Sequence, residues 1–392
     1  MRIIQINAVP YGSTGRIMFQ LADALEHKGH QVLCTAGFTW KKSNREDFFI
    51  TSNIFEKTVH TYLARLTGRT GGFSYLATWR LLKKLDAFQP DLIHLHNLHG
   101  WFVNIPMLFD YIRQKDIPVV WTLHDCWPFT GHCPHFQGVG CEKWKTGCYD
   151  CPLHRNYPES WFDCSKQMYR TKKEWLSGVK RMTIVTPSQW LADCVKESFL
   201  SEYPVQVIPN GIDLSVFCPA EEEKNEAGHT VLGVSYAWND KKGLDVIVSL
   251  RERLGDEFKM ILVGTDEHVD RKLPEGIVSV HRTQNQRELA ELYRGADVFI
   301  NPTREDNLPT VNMEALACGT PVITFDTGGS PEVPDQTCGI VVPKNDVAAM
   351  EQQIRRVCTE KPFSRQQCLE RAKIFDESNC IRQYLKLYGS MV

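Results

Sequence analysis

The stretch with the most evident chemical potential lies between residues 301 and 322, which read NPTREDNLPTVNMEALACGTPV. A strand is expected to end at Asn301, and a helix is expected to run from about Pro309 to Ala317. Proline suits the first turn of a helix, and Gly319 suits its end. Backbone N–H groups at the start of a helix attract anions such as phosphate. The sequence therefore predicts an anion site at this turn.

Side chains around this helix start are suited to a phosphorylated ligand. The backbone that would approach the anion runs through Asn307, Leu308, Pro309, Thr310 and Val311. Glu314, one turn inside the helix, could accept hydrogen bonds from a ribose diol. Glu305 or Asp306, on the turn itself, could meet the group that the phosphate carries. The alternative is a surface helix whose acidic residues lie near its N-terminus because the helix dipole favours them there.

Two glycine-bearing turns could approach the same kind of ligand. The stretch NDKKGLD, residues 239–245, follows an expected strand and opens a helix, which places Lys242 where a diphosphate would be favoured. The stretch PYGSTGR, residues 10–16, follows the first strand, and Gly12 and Gly15 would let its backbone approach a ligand beside Arg16. Ordinary βα turns are the alternative. Neither turn carries the G-x-G-x-x-G fingerprint of dinucleotide-binding proteins.

Histidines follow two of the expected strands. His124 lies where the strand Val119–Leu123 meets its loop, at the carboxyl edge where parallel sheets bind ligands. His96 and Asn97 end the strand Asp91–His96 and line the same edge, unless they belong to the core.

Four cysteines form a cluster in the sequence just beyond His124. Their spacing is Cys133-x₇-Cys141-x₆-Cys148-x₂-Cys151. Tetrahedral zinc accepts four thiolates, and a metal would order an irregular loop. Only one pair has the C-x₂-C spacing of a zinc knuckle, so a structural zinc and free buried thiols both stay open. Disulfides are not expected in the reducing cytoplasm.

The elements that must position these residues form two similar sets. Twelve short, β-branched runs alternate with helical stretches, which indicates parallel sheets built from βαβ units. They are Arg2–Ala8, Gln31–Ala36, Asp91–His96, Val119–Leu123, Met182–Thr186, Val205–Ile208, Thr230–Ser235, Lys259–Val263, Ile277–Val280, Asp297–Asn301, Pro321–Phe325 and Gly339–Val342. The pattern predicts two doubly wound α/β domains of six strands each, 1–207 and 208–392, with the boundary in the turn-rich stretch Ile208–Lys224. Residues 126–165 form a cysteine-rich insertion in the first domain.

Composition places the chain among globular proteins. Of its 392 residues, 42% are hydrophobic and 23% are charged. The N-terminus lacks a signal-peptide pattern and no apolar run is long enough to span a bilayer, so a cytoplasmic location is expected. The first domain carries a net charge of +6 and the second −8. The basic half suits an anionic membrane surface or a lipid diphosphate. The alternative is that this charge difference has no functional meaning. Nucleic acid is not an expected partner.

The basic helix expected at residues 166–181 has two interpretations. Its Lys and Arg residues and its aromatic side chains would suit a helix lying on an anionic membrane. A surface helix that packs Met168, Trp175 and Leu176 into the domain is the favoured alternative.

At its carboxylate motif the sequence resembles the family-four, GT-B-fold retaining glycosyltransferases. Asp306 and Glu314 are separated by seven residues, and EALACGTPV, residues 314–322, matches the family signature closely. The usual first acid is Glu, so either Asp306 replaces it or Glu305 serves. The element around Lys242 resembles the family's diphosphate-binding Arg-x₄₋₅-Lys-Gly, but the Arg is missing. The cysteine-rich insertion resembles that of colanic-acid and other exopolysaccharide glycosyltransferases (group 1).

This resemblance implies two Rossmann-like domains whose parallel sheets face across a cleft. The first would bind the acceptor and the second the nucleotide sugar, with the last helix packing back on the first. Gly12, Gly15, Arg16, Lys242, residues 307–311 and Glu314 would bind the donor, while His124 and Glu305 or Asp306 would contact the transferred sugar. The hexose would pass from a UDP- or GDP-sugar to a saccharide or lipid-linked acceptor, without a catalytic metal. The product would be a capsule, exopolysaccharide or O-antigen, assembled at the inner face of the plasma membrane. A GT-B nucleotide-sugar epimerase and a non-catalytic nucleotide-sugar-binding subunit are the alternatives.

Overall fold

The computed structural model describes residues 1–40, 48–220 and 229–392. The chain divides into two compact units. Unit 1 comprises Met1–Ile208 and Ile381–Val392, and unit 2 comprises Pro209–Cys380. The acidic end of the expected boundary stretch, from residue 221 to Lys224, lies outside the described residues.

Unit 1 is built on a parallel sheet with the strand order β3-β2-β1-β4-β5-β6-β7. Its strands are β1 (Arg2–Asn7), β2 (Gln31–Ala36), β3 (Phe49–Ile50), β4 (Leu92–Leu95), β5 (Val119–Thr122), β6 (Met182–Thr186) and β7 (Val205–Val207). Its helices before the domain boundary are α1 (Gly12–His27), α2 (Ile54–Thr67), α3 (Tyr75–Phe88), α4 (Ile105–Lys115), α5 (Ser165–Leu176) and α6 (Gln189–Glu197). The insertion between β5 and α5 contains three short 3₁₀ turns, at Trp127–Phe129, Gln137–Val139 and Lys143–Lys145.

Unit 2 has a parallel sheet of order β10-β9-β8-β11-β12-β13. Its strands are β8 (His229–Val234), β9 (Phe258–Val263), β10 (Ile277–Val280), β11 (Val298–Asn301), β12 (Val322–Phe325) and β13 (Gly339–Val342). The following helices are α7 (Leu244–Arg253), α8 (Glu267–Asp270), α9 (Gln286–Arg294), α10 (Thr310–Ala317), α11 (Val347–Glu360), α12 (Arg365–Ala372) and α13 (Glu377–Met391).

Strand order brings the turns singled out in the sequence together within each unit. In unit 1, β4 lies between β1 and β5, so the loops that carry Gly12, His96 and His124 leave neighbouring strands at one edge. In unit 2, β8 and β11 are paired, and the loops after them carry Lys242 and Glu305. Parallel strands align their carboxyl ends, and this alignment creates the binding edges of such sheets.

The predicted fold class is confirmed, with one correction to the strand count. All twelve expected strands are present, but the described residues of unit 1 form seven strands rather than six. The missed strand, β3, contains only Phe49 and Ile50 and pairs with β2 at the edge of the sheet. Two partly exposed residues give neither a continuous apolar run nor an alternation that could be recognised.

The C-terminal helix contributes to the core of unit 1 from Ile381 onward. The hydroxyl of Tyr384 forms a 2.8 Å hydrogen bond with Thr122 Oγ1, and the hydroxyl of Tyr388 forms a 2.7 Å hydrogen bond with His94 Nδ1. All four side chains are buried. Among the described residues, no helix combines the length and apolarity needed to cross a lipid bilayer.

Candidate active site

The turn after β11 carries two ion pairs at the start of α10. Lys242 Nζ lies 2.7 Å from Asp306 Oδ2, and Lys241 Nζ lies 2.7 Å from Glu305 Oε2. The Glu305 side chain is almost fully buried, whereas that of Asp306 is partly accessible. Thr303 Oγ1 donates to the carbonyl oxygen of Glu305 and stabilises the turn. Both carboxylates are therefore held beside lysine ammonium groups.

Gly243 brings these lysines close to the turn. Its φ of +76° is in the left-handed region, and a Cβ atom there would lie 2.4 Å from the carbonyl oxygen of Pro302. The Asn239 side chain caps the short turn before it by accepting from the N–H groups of Lys241 and Lys242. Only glycine permits this approach of the two loops. The sequence motif predicted Lys242 as a ligand, but it did not predict that the lysines would pair with the carboxylates.

Helix α10 begins at Thr310 with Pro309 in the N-cap position and without a side-chain cap. The N–H of Asn312 donates to the carbonyl oxygen of Pro309, and the preceding N–H groups of Thr310 and Val311 are the ones that an anion could approach. The side chains of Asn307 and Leu308 are buried, and Leu308 belongs to the hydrophobic core, so these two residues can contribute chiefly through their backbone. Asn312 Oδ1 accepts a 2.8 Å hydrogen bond from Asn301 Nδ2, which ties the helix to the end of β11.

Glu314 lies one turn inside α10 and is buried. Its Oε2 atom accepts a 3.1 Å hydrogen bond from the hydroxyl of Tyr293 on α9. Burial, followed by the charge of Glu314, raises the pKa of this tyrosine well above its ordinary value, so the hydroxyl keeps its proton and acts as a donor. Tyr293 is a positioning residue that the sequence motif did not reveal.

Cations around the unit 2 turn are accounted for by specific partners. Arg304 binds both carboxylate oxygens of Asp245 and also contacts Asn345 Oδ1, so its charge is already compensated. Lys241 and Lys242 are the cations directed at Glu305 and Asp306. The position of Lys241 makes it a candidate for the charge that the missing Arg of the family motif would supply.

In unit 1, the predicted glycine turn is organised by Asn7 at the end of β1. Its Oδ1 atom accepts from the N–H of Ala8 and its Nδ2 donates to the carbonyl oxygen of Val9. Gly12 has a φ of +69°, and a Cβ atom on Gly15 would lie 2.6 Å from the backbone of Pro10. Both glycines are thus required by the local backbone. Arg16 lies in the first helix, α1, and is half-buried.

His124 belongs to a chain of buried hydrogen bonds behind that turn. His124 Nε2 lies 3.1 Å from His96 Nδ1, and His96 Nε2 lies 3.1 Å from Gln5 Oε1. Burial lowers the pKa of His124 to about 4 and lowers that of His96 well below its ordinary value. Both rings are therefore neutral near pH 7. His124 can offer a hydrogen bond at this edge, but it carries no charge there.

A second histidine cluster at the same edge was not predicted. His99 Nε2 lies 2.9 Å from Asp125 Oδ2, and His99 Nδ1 lies 2.8 Å from the hydroxyl of Tyr157. Burial alone would raise the pKa of Asp125, but His99, together with His135 and the N–H of Trp127, lowers it to about 2. Asp125 also accepts from the N–H of Trp127. The cluster connects the loop after β4, the loop after β5 and the insertion.

The four predicted cysteine ligands line a single pocket in the insertion. Cys148 Sγ accepts a 3.0 Å hydrogen bond from the N–H of Gly131. Hydrogen bonding between Cys133 and Cys151 raises the pKa of Cys133 and lowers that of Cys151 to about 7. Within the described ranges, however, no three His, Cys, Asp or Glu side chains are arranged to hold a metal ion. The predicted zinc ligands are neighbours, but as they lie they do not form a metal site.

Helix α5 packs into unit 1 through its apolar side. Met168, Trp175 and Leu176 are buried, which agrees with the favoured interpretation of this basic stretch. Lys172 is also fully buried, with its Nζ donating to the carbonyl oxygen of Trp127 at 2.5 Å and lying 3.7 Å from the centre of that ring. This helix therefore presents little apolar surface to a membrane.

The site residues predicted from the sequence fall into two groups. Gly12, Gly15, Arg16 and His124 lie in unit 1, at or just beyond the carboxyl edge of its sheet. Lys242, the turn that carries Glu305 and Asp306, and the start of α10 lie together in unit 2. Each group is assembled by its own sheet.

Two parallel α/β units of this kind form the GT-B fold of glycosyltransferases. Family models match most of the chain: "Glycosyltransferase Family 4" matches residues 14–216, and "Glycosyl transferases group 1" matches residues 228–360. The first match alone covers more than half of the residues, so the chain belongs to glycosyltransferase family 4.

Individual proteins extend this likeness. The chain is 27% identical to the putative colanic acid biosynthesis glycosyl transferase WcaC of Escherichia coli K12, over 67% of this chain and 66% of that protein. The match thus spans just under two thirds of the relative's length. Sucrose-phosphate synthase of Thermosynechococcus elongatus superimposes with a TM-score of 0.74 at 18% identity, covering 100% of this chain and 98% of that one. Anabaena HepE in complex with UDP gives a TM-score of 0.68 at 13% identity, with 100% of both chains covered.

Proposed function

We propose that this protein is a retaining glycosyltransferase that moves a hexose from a UDP- or GDP-sugar to a saccharide acceptor. The observation that carries the proposal is the pairing of Lys242 with Asp306 and of Lys241 with Glu305 at the uncapped start of α10. Two ammonium groups and the first helix amides provide the positive potential that a diphosphate requires.

Donor binding would rearrange these ion pairs. A diphosphate carries more negative charge than one carboxylate, so it competes for Lys242 and Lys241 and lets Asp306 accept a sugar hydroxyl instead. Glu314, held by Tyr293, would accept from the ribose diol. Anabaena HepE, which shares the fold, binds UDP, and this supports a nucleotide-sugar donor for the present chain.

Transfer would then occur on one face of the sugar. The acceptor oxygen forms a bond to the anomeric carbon as the bond from that carbon to the diphosphate oxygen breaks. The hydroxyl proton passes to a departing phosphate oxygen. Lys242, Lys241 and the helix amides stabilise the charge that develops on the diphosphate, so no catalytic metal is part of this mechanism. His124, being neutral, would hold a sugar hydroxyl in position rather than take a proton.

The acceptor and the cellular setting are inferred from the colanic-acid relative. The E. coli protein is a putative glycosyl transferase of colanic acid biosynthesis, an exopolysaccharide-type pathway. We therefore propose a lipid-linked saccharide acceptor in the assembly of a bacterial surface polysaccharide, such as a capsule, exopolysaccharide or O-antigen. The enzyme would act in the cytoplasm at the inner face of the plasma membrane, with His99, Asp125 and Tyr157 at the acceptor edge of unit 1.

Thermal-shift measurements with a panel of UDP- and GDP-sugars test the donor site. A nucleotide that binds the folded protein raises its melting temperature by mass action. The melting temperature of the wild type should rise with either the UDP-sugars or the GDP-sugars. Lys242→Ala and Glu314→Ala should lose most of this rise. Lys259→Ala and Glu252→Ala, exposed residues elsewhere in unit 2, are matched controls that should keep it.

Product analysis with the labelled donor that binds tests the reaction itself. Wild-type protein should transfer the labelled hexose to a saccharide acceptor, or hydrolyse the donor slowly in its absence, with the α configuration retained if the donor is α-linked. Isomerised nucleotide sugar as the only product would identify an epimerase. If no nucleotide diphosphate shifts the melting temperature, the donor site is wrongly assigned.

A further inference from the structure

Helix α2 turns its apolar side outward. Phe55, Val59, Tyr62 and Leu66 recur at helical spacing and are exposed, with Phe55 accessible over 74% of its surface. The side that packs into unit 1 carries His60 and Ala64 instead. The helix is well defined, because Asn53 and Glu56 form a capping box and Gly68 ends it in the left-handed region. An amphipathic helix in this orientation lacks the burial that normally stabilises its apolar stripe.

Helix α3, the next helix along the chain, also exposes large apolar side chains. Tyr75, Leu76 and Trp79 are exposed over 54–66% of their areas. The two helices are joined by a 2.6 Å hydrogen bond from His60 to Ser74 and by the ion pair of Glu56 with Arg80. The α2–α3 patch is defined here as Phe55, Val59, Tyr62, Leu66, Tyr75, Leu76 and Trp79. An exposed apolar surface of several neighbouring large side chains marks an interaction site.

The insertion extends this surface beside α2. The ring of Trp161 meets that of Tyr62 edge to face, with 5.0 Å between their centres, and Phe162 is exposed over 60% of its area. Arg65 pairs with Glu159 of the insertion, which fixes the insertion against the helix. The insertion therefore contacts α2 and adds a further exposed aromatic ring.

The charges around the patch are mainly positive. Residues 54–88 contain six Lys and Arg residues against two Asp and Glu residues. Both acids are engaged, because Glu56 pairs with Arg80 and Asp86 pairs with Lys115. Arg69, Lys83 and Lys84 are exposed. The patch is therefore an apolar and aromatic surface with cationic side chains on the same helices.

We propose that the α2–α3 patch binds the surface of an anionic lipid bilayer. Tyr and Trp favour the boundary between headgroups and acyl chains, and lysines beside them attract anionic headgroups. An interface with a second copy or another protein would instead be expected to be depleted in lysine. The patch would enter the boundary to a depth of about 5–10 Å. The contact does not depend on sugar transfer, but it would hold unit 1 beside a lipid-borne acceptor.

Vesicle flotation of the full-length protein tests this proposal. We expect binding to vesicles of phosphatidylglycerol and phosphatidylcholine, and weaker binding to phosphatidylcholine alone or at high salt. The triple variant Phe55→Ser/Tyr62→Ser/Trp79→Ser should bind at least about tenfold more weakly, because it removes most of the exposed aromatic surface. Lys83→Gln/Lys84→Gln should weaken binding about fivefold for each lysine, the factor that corresponds to about 1 kcal/mol.

A matched control carries serine at exposed apolar residues away from the patch, Tyr149→Ser/Val278→Ser/Ile374→Ser. It should bind vesicles as the wild type does. Equal vesicle binding by the wild type and the patch variant overturns the proposal. A second outcome also overturns it: the wild type is a dimer, the patch variant is a monomer, and neither binds vesicles. The thermal shift with the donor nucleotide is measured on each variant. If the patch variant keeps this thermal shift but no longer binds vesicles, membrane binding is independent of the proposed donor site.

Discussion

The Nζ atom of Lys242 lies 2.7 Å from Oδ2 of Asp306, and Lys241 forms the same contact with Glu305. The two pairs differ in accessibility, because the Asp306 side chain is 22% exposed and that of Glu305 is 4% exposed. A ligand therefore reaches Asp306 with less rearrangement. We therefore propose that Asp306 contacts the transferred sugar and that Glu305 acts as a positioning residue.

Substitution of each carboxylate by its amide tests that assignment. Asp306→Asn should lower kcat by about 10²–10³ because it removes a charge next to the reacting sugar. The loss of kcat in Glu305→Gln should be at least about tenfold smaller than the loss in Asp306→Asn, because Glu305 acts through Lys241. Steady-state kinetics give both values, with the melting temperature as a check on folding. A larger loss in Glu305→Gln would reverse the assignment.

Glu314 should control nucleotide affinity through its hydrogen bonds. Glu314→Gln should weaken binding of the nucleotide diphosphate by about 10- to 100-fold, because hydrogen bonds to a charged group contribute about 1.5–3 kcal/mol. Tyr293→Phe keeps the carboxylate and removes only its partner, so its effect should be about tenfold or less. Calorimetric titration with the bound nucleotide measures both. Equal affinities for wild type and Glu314→Gln would exclude the ribose contact.

His124 should affect turnover without introducing a pH dependence of its own near neutrality. Its pKa of about 4 means that the ring is neutral throughout pH 5–8. His124→Ala should reduce kcat by at least about tenfold while nucleotide affinity stays unchanged. The control His27→Ala, an exposed residue of α1, should behave as the wild type. An inflection near pH 6.5 in the kcat profile that disappears in His124→Ala would contradict the neutral role.

Unit 1 should lose stability in mild acid. Burial lowers the pKa of His60 and His94 to about 3 and that of His124 to about 4, whereas the unfolded chain titrates near 6.5. Between these values the unfolded state binds more protons, so the free energy of unfolding falls as pH drops below about 6.5. Each histidine contributes a slope of up to about 1.4 kcal/mol per pH unit. Urea unfolding from pH 7.5 to 4.5 measures the slope, and a flat profile would contradict the buried, neutral rings.

The zinc ion expected from the cysteine spacing stays a prediction. The four thiols line one pocket, and Cys148 already accepts an N–H bond of the kind that supports metal-bound thiolates. Binding requires the side chains to turn toward a common centre. We expect metal analysis to find about one zinc per chain, lost in Cys148→Ser/Cys151→Ser and kept in Cys164→Ser. Zinc-free protein with an ordered insertion would show that the thiols are free.

The sequence was sufficient to predict features that depend on residues close together along the chain. Buried parallel strands appear as apolar runs, and EALACGTPV places Glu314 on a helix that begins directly after Pro309. The position of Lys242 directly before a helix could be predicted because a glycine follows it, whereas its role as a diphosphate ligand stays a prediction. In each case the local pattern and the tertiary structure require the same residues.

Relationships that depend on folding could not be predicted in this way. His99, Asp125 and Tyr157 meet although 26 and 58 positions separate the histidine from its partners. The outward direction of Phe55 and Tyr62 was equally hidden, because periodicity identifies an apolar stripe but not the side on which the domain lies. The partners of Lys241 and Lys242, more than 60 residues away, likewise emerge only from the pairing of β8 with β11.

Because Tyr384 and Tyr388 belong to unit 1, this unit can be completed only after the whole of unit 2 has been synthesised. Their hydroxyls are hydrogen-bonded to Thr122 and His94, residues made more than 250 positions earlier. Until α13 has been synthesised, the side chains of Thr122 and His94 have no tyrosine partners. The residues Pro209–Cys380 are synthesised in the meantime. Unit 2 is continuous in sequence and can fold as it emerges, whereas unit 1 reaches its final core only when translation of the helix has ended.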